Sequence, residues 1–351
     1  MYKRVALAII VILNLSSEVY ADTWNGQEIT AFTGSNIYAP FVMFDQQSNV
    51  YKMWYGGWQT LGQVNDDIYY KTSTDGVTWG SSFTTVMSPT IFNQALASAG
   101  VSSPGNVVHT NNPTITKFLN LANNTFQYTM FFTIGLSTGT FPSQIWSMVS
   151  GDGINWSLPV PFNPGSNFAP DTSSAVYVVQ SNGQPQPGDP ASTVWHLYFE
   201  NDMNLNHLYM SYIDGNRKIV QNTTPIVVYN SPNQGIFNPN VVKIGNTWNL
   251  FFNSFNSYTT PVENFFNTLD EYEVISNTNT SWSATQVQEL TFAKDNSPSL
   301  GGICAIVAPS VLPLSTTSYR MYFGQVNFQP NTECDLTKNN QIDEWTWTNA
   351  Q

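Results

Sequence analysis

Proline recurs along this 351-residue chain at one point of a repeating pattern: a short polar or aromatic run, the proline, a strand-like stretch, a turn, and a returning strand dense in aromatics. The runs are Tyr38–Phe44 (YAPFVMF), Asn111–Thr116 (NNPTIT), Phe168–Ser173 (FAPDTS), Phe237–Val242 (FNPNVV) and Val307–Leu312 (VAPSVL). Pro40, Pro113, Pro170, Pro239 and Pro309 are spaced by 73, 57, 69 and 70 residues, longer than a solenoid repeat and close to one four-stranded propeller blade with its loops. An all-β fold follows as the expectation, a five-bladed β-propeller of four-stranded antiparallel blades. A two-sheet sandwich has no use for five near-equal repeats, whereas sheets around an axis bury both faces of each blade and leave only short edges.

Residues 1–21 read as an export signal, with Lys3 and Arg4 before an apolar run from Val5 to Leu15 and Val19-Tyr20-Ala21 as the cleavage site. That run is shorter than the roughly 20 residues a membrane-crossing helix needs, so a secreted or periplasmic protein without membrane insertion is expected, with residues 22–351 forming a single propeller domain. Charged residues make up only 10% of the chain and aromatics 14%, which suits strands and long polar loops better than helices. Without the signal the net charge is −13, which argues against nucleic acid or an anionic membrane and favours a neutral partner. Cys304 and Cys334, both in the last repeat of an exported chain, are expected to form one disulfide.

In the first repeat Tyr38–Phe44 is the expected innermost strand, Tyr51–Tyr55 the return and Ile68–Thr72 a third, with a fourth after Trp79. Equivalent return strands are Gln127–Phe132, Trp195–Phe199, Trp248–Phe252 and Tyr319–Phe323. The segment from Thr23 to Phe32 is available as the outer strand of the last sheet. Asp75-Gly76 and Asp152-Gly153, each followed by a tryptophan three residues on, read as tight turns rather than chemistry.

Up-and-down topology sends the start of strand one, the end of strand two and the start of strand three to one face. Most acids outside turns gather there. Asp171 is the one inner-strand carboxylate if its orientation is axial, and Glu200 and Asp202 follow an apolar strand, where partial burial raises a carboxyl pKa and equips it to donate a proton. Of the Asp66-Asp67 doublet only one member can face the centre, and Asp67 is preferred. Asp171, Glu200 and Asp67 are therefore the expected catalytic carboxyls. Trp58, His109, Asn112, Asp202, His207 and Asn238 are the expected substrate contacts, with carbohydrate as the partner. No His or Cys pair has metal-ligand spacing, so no metal or other cofactor is expected, although oxygen ligands leave room for a structural Ca²⁺. Phosphate loops and nucleophile elbows are also missing. Oligomeric state is not legible.

The pattern Tyr38-Ala39-Pro40, then YKMWYGG from Tyr51, then IYYKTSTDGVTW from Ile68, resembles the blades of the five-bladed propeller glycosidases of glycoside hydrolase families 43, 32, 62, 68 and 117 and the family 130 phosphorylases. The resemblance covers nearly all of the mature chain. In family 43 it implies an aspartate before an inner-strand proline as general base, a second acid that tunes pKa, and a glutamate in a Glu-Gly-Pro-like motif as general acid. Here the pre-proline residues are Ala39, Asn112, Ala169, Asn238 and Ala308. Two readings follow: a secreted glycosidase of divergent type using face acids, with Asp171 or Asp67 as base or nucleophile and Glu200 as acid, and a non-catalytic glycan-binding or cell-surface propeller that has lost its acids.

Overall fold

The computed structural model describes residues 29–34, 36–60, 63–120, 123–137, 143–228, 235–255, 270–283, 288–289, 303–327 and 341–348. The export segment lies outside them, as do Cys334 and the side chain of Cys304. The strands in chain order are β1 (Ile29–Thr33), β2 (Asn36–Asp45), β3 (Val50–Trp58), β4 (Asp67–Ser73), β5 (Thr84–Met87), β6 (Val107–Asn120), β7 (Thr125–Leu136), β8 (Ser143–Ser150), β9 (Val160–Pro161) and β10 (Pro170–Tyr177). They continue with β11 (Thr193–Asn201), β12 (His207–Asp214), β13 (Ile219–Val228), β14 (Gly235–Ile244), β15 (Thr247–Phe255), β16 (Asp270–Ser276), β17 (Gln288–Glu289), β18 (Ile303–Pro313), β19 (Ser318–Asn327) and β20 (Gln341–Thr348). One helix, α1 (Pro89–Ser98), capped by the Ser88 hydroxyl, lies between β5 and β6.

These strands form four-stranded antiparallel sheets in the orders β2-β3-β4-β5, β6-β7-β8-β9, β10-β11-β12-β13, β14-β15-β16-β17 and β18-β19-β20-β1. The first strands pack in a ring, β2 on β6, β6 on β10, β10 on β14, β14 on β18 and β18 on β2. The architecture is a β-propeller. Its last sheet takes β1 as the outer strand, so the Thr23–Phe32 region does supply the missing edge, from Ile29 onward.

Consecutive aromatics on the second strands show why the ring is stable. Trp54 packs towards the second sheet and Tyr55 towards the last; Phe131 and Phe132, Tyr198 and Phe199, and Phe251 and Phe252 divide in the same way between their two neighbours. Strand side chains alternate, so two adjacent large residues fill two different inter-blade cores. The Asp-Gly turns behave as expected: Asp75 Oδ1 accepts from the Val77 and Thr78 amides, Asp152 Oδ1 from those of Ile154 and Asn155, and Gly76 and Gly153 have φ of 75° and 83°.

At the end of the ring away from the acids, a buried ionic knot ties the first two sheets. Asp45 Oδ2 lies 2.8 Å from Lys52 Nζ and accepts from Tyr128 Oη at 2.8 Å, while Oδ1 meets Lys117. Burial alone would raise the Asp45 carboxyl, but Lys117, Lys52, Tyr128 and Ser48 outweigh it and hold the group well below the ordinary carboxylate range. A carboxyl whose folded pKa lies below its unfolded value of about 3.9 contributes stability above that pH and loses it as pH falls further. Calorimetry from pH 7 to pH 2 is expected to show the Tm dropping below about pH 4, and less steeply for Asp45→Asn. An unchanged slope in the variant would dismiss the knot as the acid-sensitive element.

The inner strands carry an unusual backbone. Ala39, Asn112, Asn238 and Ala308, each followed by proline, have φ of 47°, 49°, 50° and 53°. Left-handed backbone is uncommon outside glycine, and a following proline already disfavours helical ψ, so four such residues mark a strained ring around the axis. Each sits in a β-bulge against the second strand. Two residues further on, Thr114, Asn240 and Ser310 accept a backbone N–H from the next blade. Ser174 does the same for Val241, which fixes Thr172, rather than Ala169, as the corresponding residue of the third sheet. The Phe-Ala-Pro run there is displaced from the bulge, which lies between Asp171 and Ser173.

Candidate active site

The third sheet departs from the repeat where the acids gather. Asp171 on β10 pairs directly with Glu200 on β11, and opposed residues of an antiparallel pair hold their Cβ atoms about 4.5–5.5 Å apart. The turn after β11 returns over them, its Asp202 amide donating to the Ala169 carbonyl at 3.0 Å. Carboxylate oxygens of Asp171, Glu200 and Asp202 consequently lie within 4.8 Å of one another.

Three donors converge on Asp171: Asn112 Nδ2 at 3.0 Å and the Thr172 amide at 2.7 Å on Oδ1, and Ser143 Oγ at 3.3 Å on Oδ2. Glu200, 5% exposed, accepts through Oε2 from the Thr172 hydroxyl and from the Asn238 amide at 2.7 Å. Burial first, then the charges of Asp171 and Asp202, push the Glu200 carboxyl well above its ordinary range. Asp202 is pushed up to about 7 by burial and by Asp171, against the opposing hydrogen bond of Ser143. The site thus sets two carboxyls of raised pKa beside Asp171, the acceptor of three hydrogen bonds, the equipment of acid–base chemistry.

A group whose folded pKa exceeds its unfolded value stabilises the fold below the unfolded pKa, and that contribution disappears as pH rises through the folded value. Asp202→Asn should therefore gain Tm relative to the wild type between about pH 4 and pH 8. Thermal melts across that range check this, and parallel curves would mean that Asp202 is not a strained acid.

The remaining expected residues divide. Asn112, Asp202 and Asn238 join Asp171 and Glu200, with Asn238 Nδ2 also donating to Asn253 Oδ1 at 2.9 Å. Asp67 stands apart, bonded by Gln63 Nε2 at 3.2 Å and Tyr69 Oη at 3.4 Å, its carboxyl pushed up to about 6 by burial. Its neighbour Asp66 makes the contacts towards the next blade: Oδ2 accepts from Tyr38 Oη at 2.6 Å and lies 2.9 Å from His109 Nδ1, and Asn111 Nδ2 donates to Tyr38 Oη at 3.0 Å. The Asp66 hydrogen bond raises the His109 pKa against the effect of burial. His207 lies beside Asn204 and Tyr209, and Trp58 is half-buried at the end of β3. Sequence reasoning missed Ser143 and Thr172 and preferred Asp67 to Asp66. Hydroxyls leave no pattern, and only the hydrogen-bond register tells Asp66 from Asp67.

The axial opening, lined by Ala39, Asn112, Thr172, Asn238 and Ala308 among others, has a cavity volume of ≈ 30 Å³, room for about two waters.

No protein-family model and no curated protein sequence matches the chain. Solved structures share its fold at low identity. The GH43 protein BlXynB from Bacillus licheniformis has 13% identity and a TM-score of 0.59 over 92% of this chain, which spans only 55% of that protein. An α-L-arabinofuranosidase from Lactobacillus brevis has 8% identity and a TM-score of 0.59, covering 91% of this chain and 92% of its own. A structure from the GH130 family of mannoside phosphorylases has 14% identity and a TM-score of 0.55, with 96% and 93% covered. At such identities the likeness establishes the propeller fold.

Proposed function

We propose that the protein is a carbohydrate-active, five-bladed propeller exported from the cytoplasm, a divergent glycoside hydrolase that cleaves by paired carboxyls of its third blade. The observation that carries this reading is the convergence of Asp171, Glu200 and Asp202 within 4.8 Å, with Asp171 and Glu200 bonded to Asn112 and Asn238 of the axial opening's lining. The glycosidase neighbours in fold space lend it support. In this reading Asp171 attacks the anomeric carbon as a protonated neighbour gives its proton to the departing glycosidic oxygen. The resulting carboxylate then takes a proton from water, the water oxygen attacks the anomeric carbon, and Asp171 is released.

Retaining enzymes separate their carboxyls by about 5–5.5 Å and inverting ones by about 6.5–9.5 Å. Facing oxygens of Asp171, Glu200 and Asp202 within 4.8 Å of one another lie nearer the first range than the second, which favours retention. A screen of aryl α- and β-glycosides of pentoses and hexoses, followed by proton NMR of the first-formed product, is expected to show turnover with the anomeric configuration kept. Inversion would contradict the paired-acid geometry. Glycan binding by a protein that turns over no glycoside in the screen would favour the binding-module reading instead.

A further inference from the structure

We propose that Glu200 is a positioning residue, and that the proton reaching the glycosidic oxygen comes from Asp202. This rests on the hydrolase reading above and assigns the roles within it. Opposite the residue that precedes each bulge position, on the second strands, stand Gly56, Thr133, Glu200, Asn253 and Gly324. The place faces the following blade. Asn253 Oδ1 accepts the Ala308 amide at 2.9 Å as Glu200 Oε2 accepts that of Asn238 at 2.7 Å. A Cβ at Gly56 would come 3.1 Å from Asn111 Cβ, and one at Gly324 would come 3.1 Å from Tyr38 Cα, so there the next backbone presses directly on the strand.

Glu200 therefore fills a bracing place that a neutral amide fills one blade later. Burial and the neighbouring acids raise its pKa, and the oxygen that braces Asn238 also accepts from Thr172. A glutamine retains an acceptor oxygen for both donors. Asp202 instead stands half-buried on the turn above, and its neighbours are Ser143 and the Asp171 and Glu200 carboxyls. As the C–O bond breaks, Asp202 gives its proton to the leaving oxygen while Asp171 forms the ester. Asp202 then deprotonates the attacking water.

The test is kinetic on a glycoside that the wild type cleaves. Glu200→Gln is expected to lower kcat/KM by about tenfold through disturbed bracing of Asp171 and Asn238, yet to retain the alkaline limb of the pH profile, whereas Asp202→Asn is expected to lose about 10²–10⁴-fold and that limb with it. An activated aryl leaving group should restore Asp202→Asn. Were Glu200→Gln the variant that collapses and is restored in this way, Glu200 would be the acid and the inference overturned. Hydrogen exchange at the Asn238 amide, read in folded variants, separates the two levels of failure: Glu200→Ala should speed it and Glu200→Gln should not, whether or not any glycoside is cleaved. Unchanged exchange in Glu200→Ala removes the positioning role outright.

Discussion

Asp171→Asn is expected to lower kcat/KM on a cleaved glycoside by about 10³-fold or more, the loss that follows removal of a reacting carboxylate. Asparagine nearly preserves shape, so the loss is chemical. Asn112, Ser143 and the Thr172 amide all donate to Asp171, and the register places it beside Glu200. The variant should keep its Tm within a few degrees and still bind the product glycan. Added azide should restore turnover by replacing the lost nucleophile. Activity within tenfold of the wild type would move the reacting centre elsewhere, with the Asp66–His109 pair the next to be tried.

The largest expected loss of stability comes from one methyl group on the first sheet. Gly57 has φ of +121°, and an added Cβ would lie 2.0 Å from the Asn36 carbonyl oxygen and 2.9 Å from Ile37 Cα. Both obstacles are backbone, so no rotamer change relieves them. Gly57→Ala is expected to cost about 3–5 kcal/mol from combined strain and overpacking, and to lower Tm by on the order of 10 °C. Gly80→Ala, where a Cβ meets no atom within 4 Å, is the control and should change Tm little. Equal Tm values for the two would show that the close approach at Gly57 relaxes freely.

Much of this architecture was legible because its cause is periodic. Paired aromatics such as Trp54-Tyr55 and Tyr198-Phe199 require a strand with both faces buried, and recurring prolines mark where the inner strands bulge. The third repeat shows the limit of that signal. Its proline precedes the bulge instead of occupying it, so Ala169 occupies the bulge position in the sequence pattern while Thr172 does so in the fold. The acids were legible in part. Asp171, Glu200 and Asp202 follow from strand register and from the turn that folds back over the strand. The doublet Asp66-Asp67 lies where β4 only begins, so alternation has no anchor there, and the inward contacts belong to Asp66.

Among the described residues β1 joins its sheet through β20, across the register from Ile29–Glu344 to Thr33–Gln341. The first and last described strands thus clasp one another, and the circle stays unsealed until both have been synthesised and paired. Such distant pairing is slow to assemble and leaves naked strand edges waiting meanwhile.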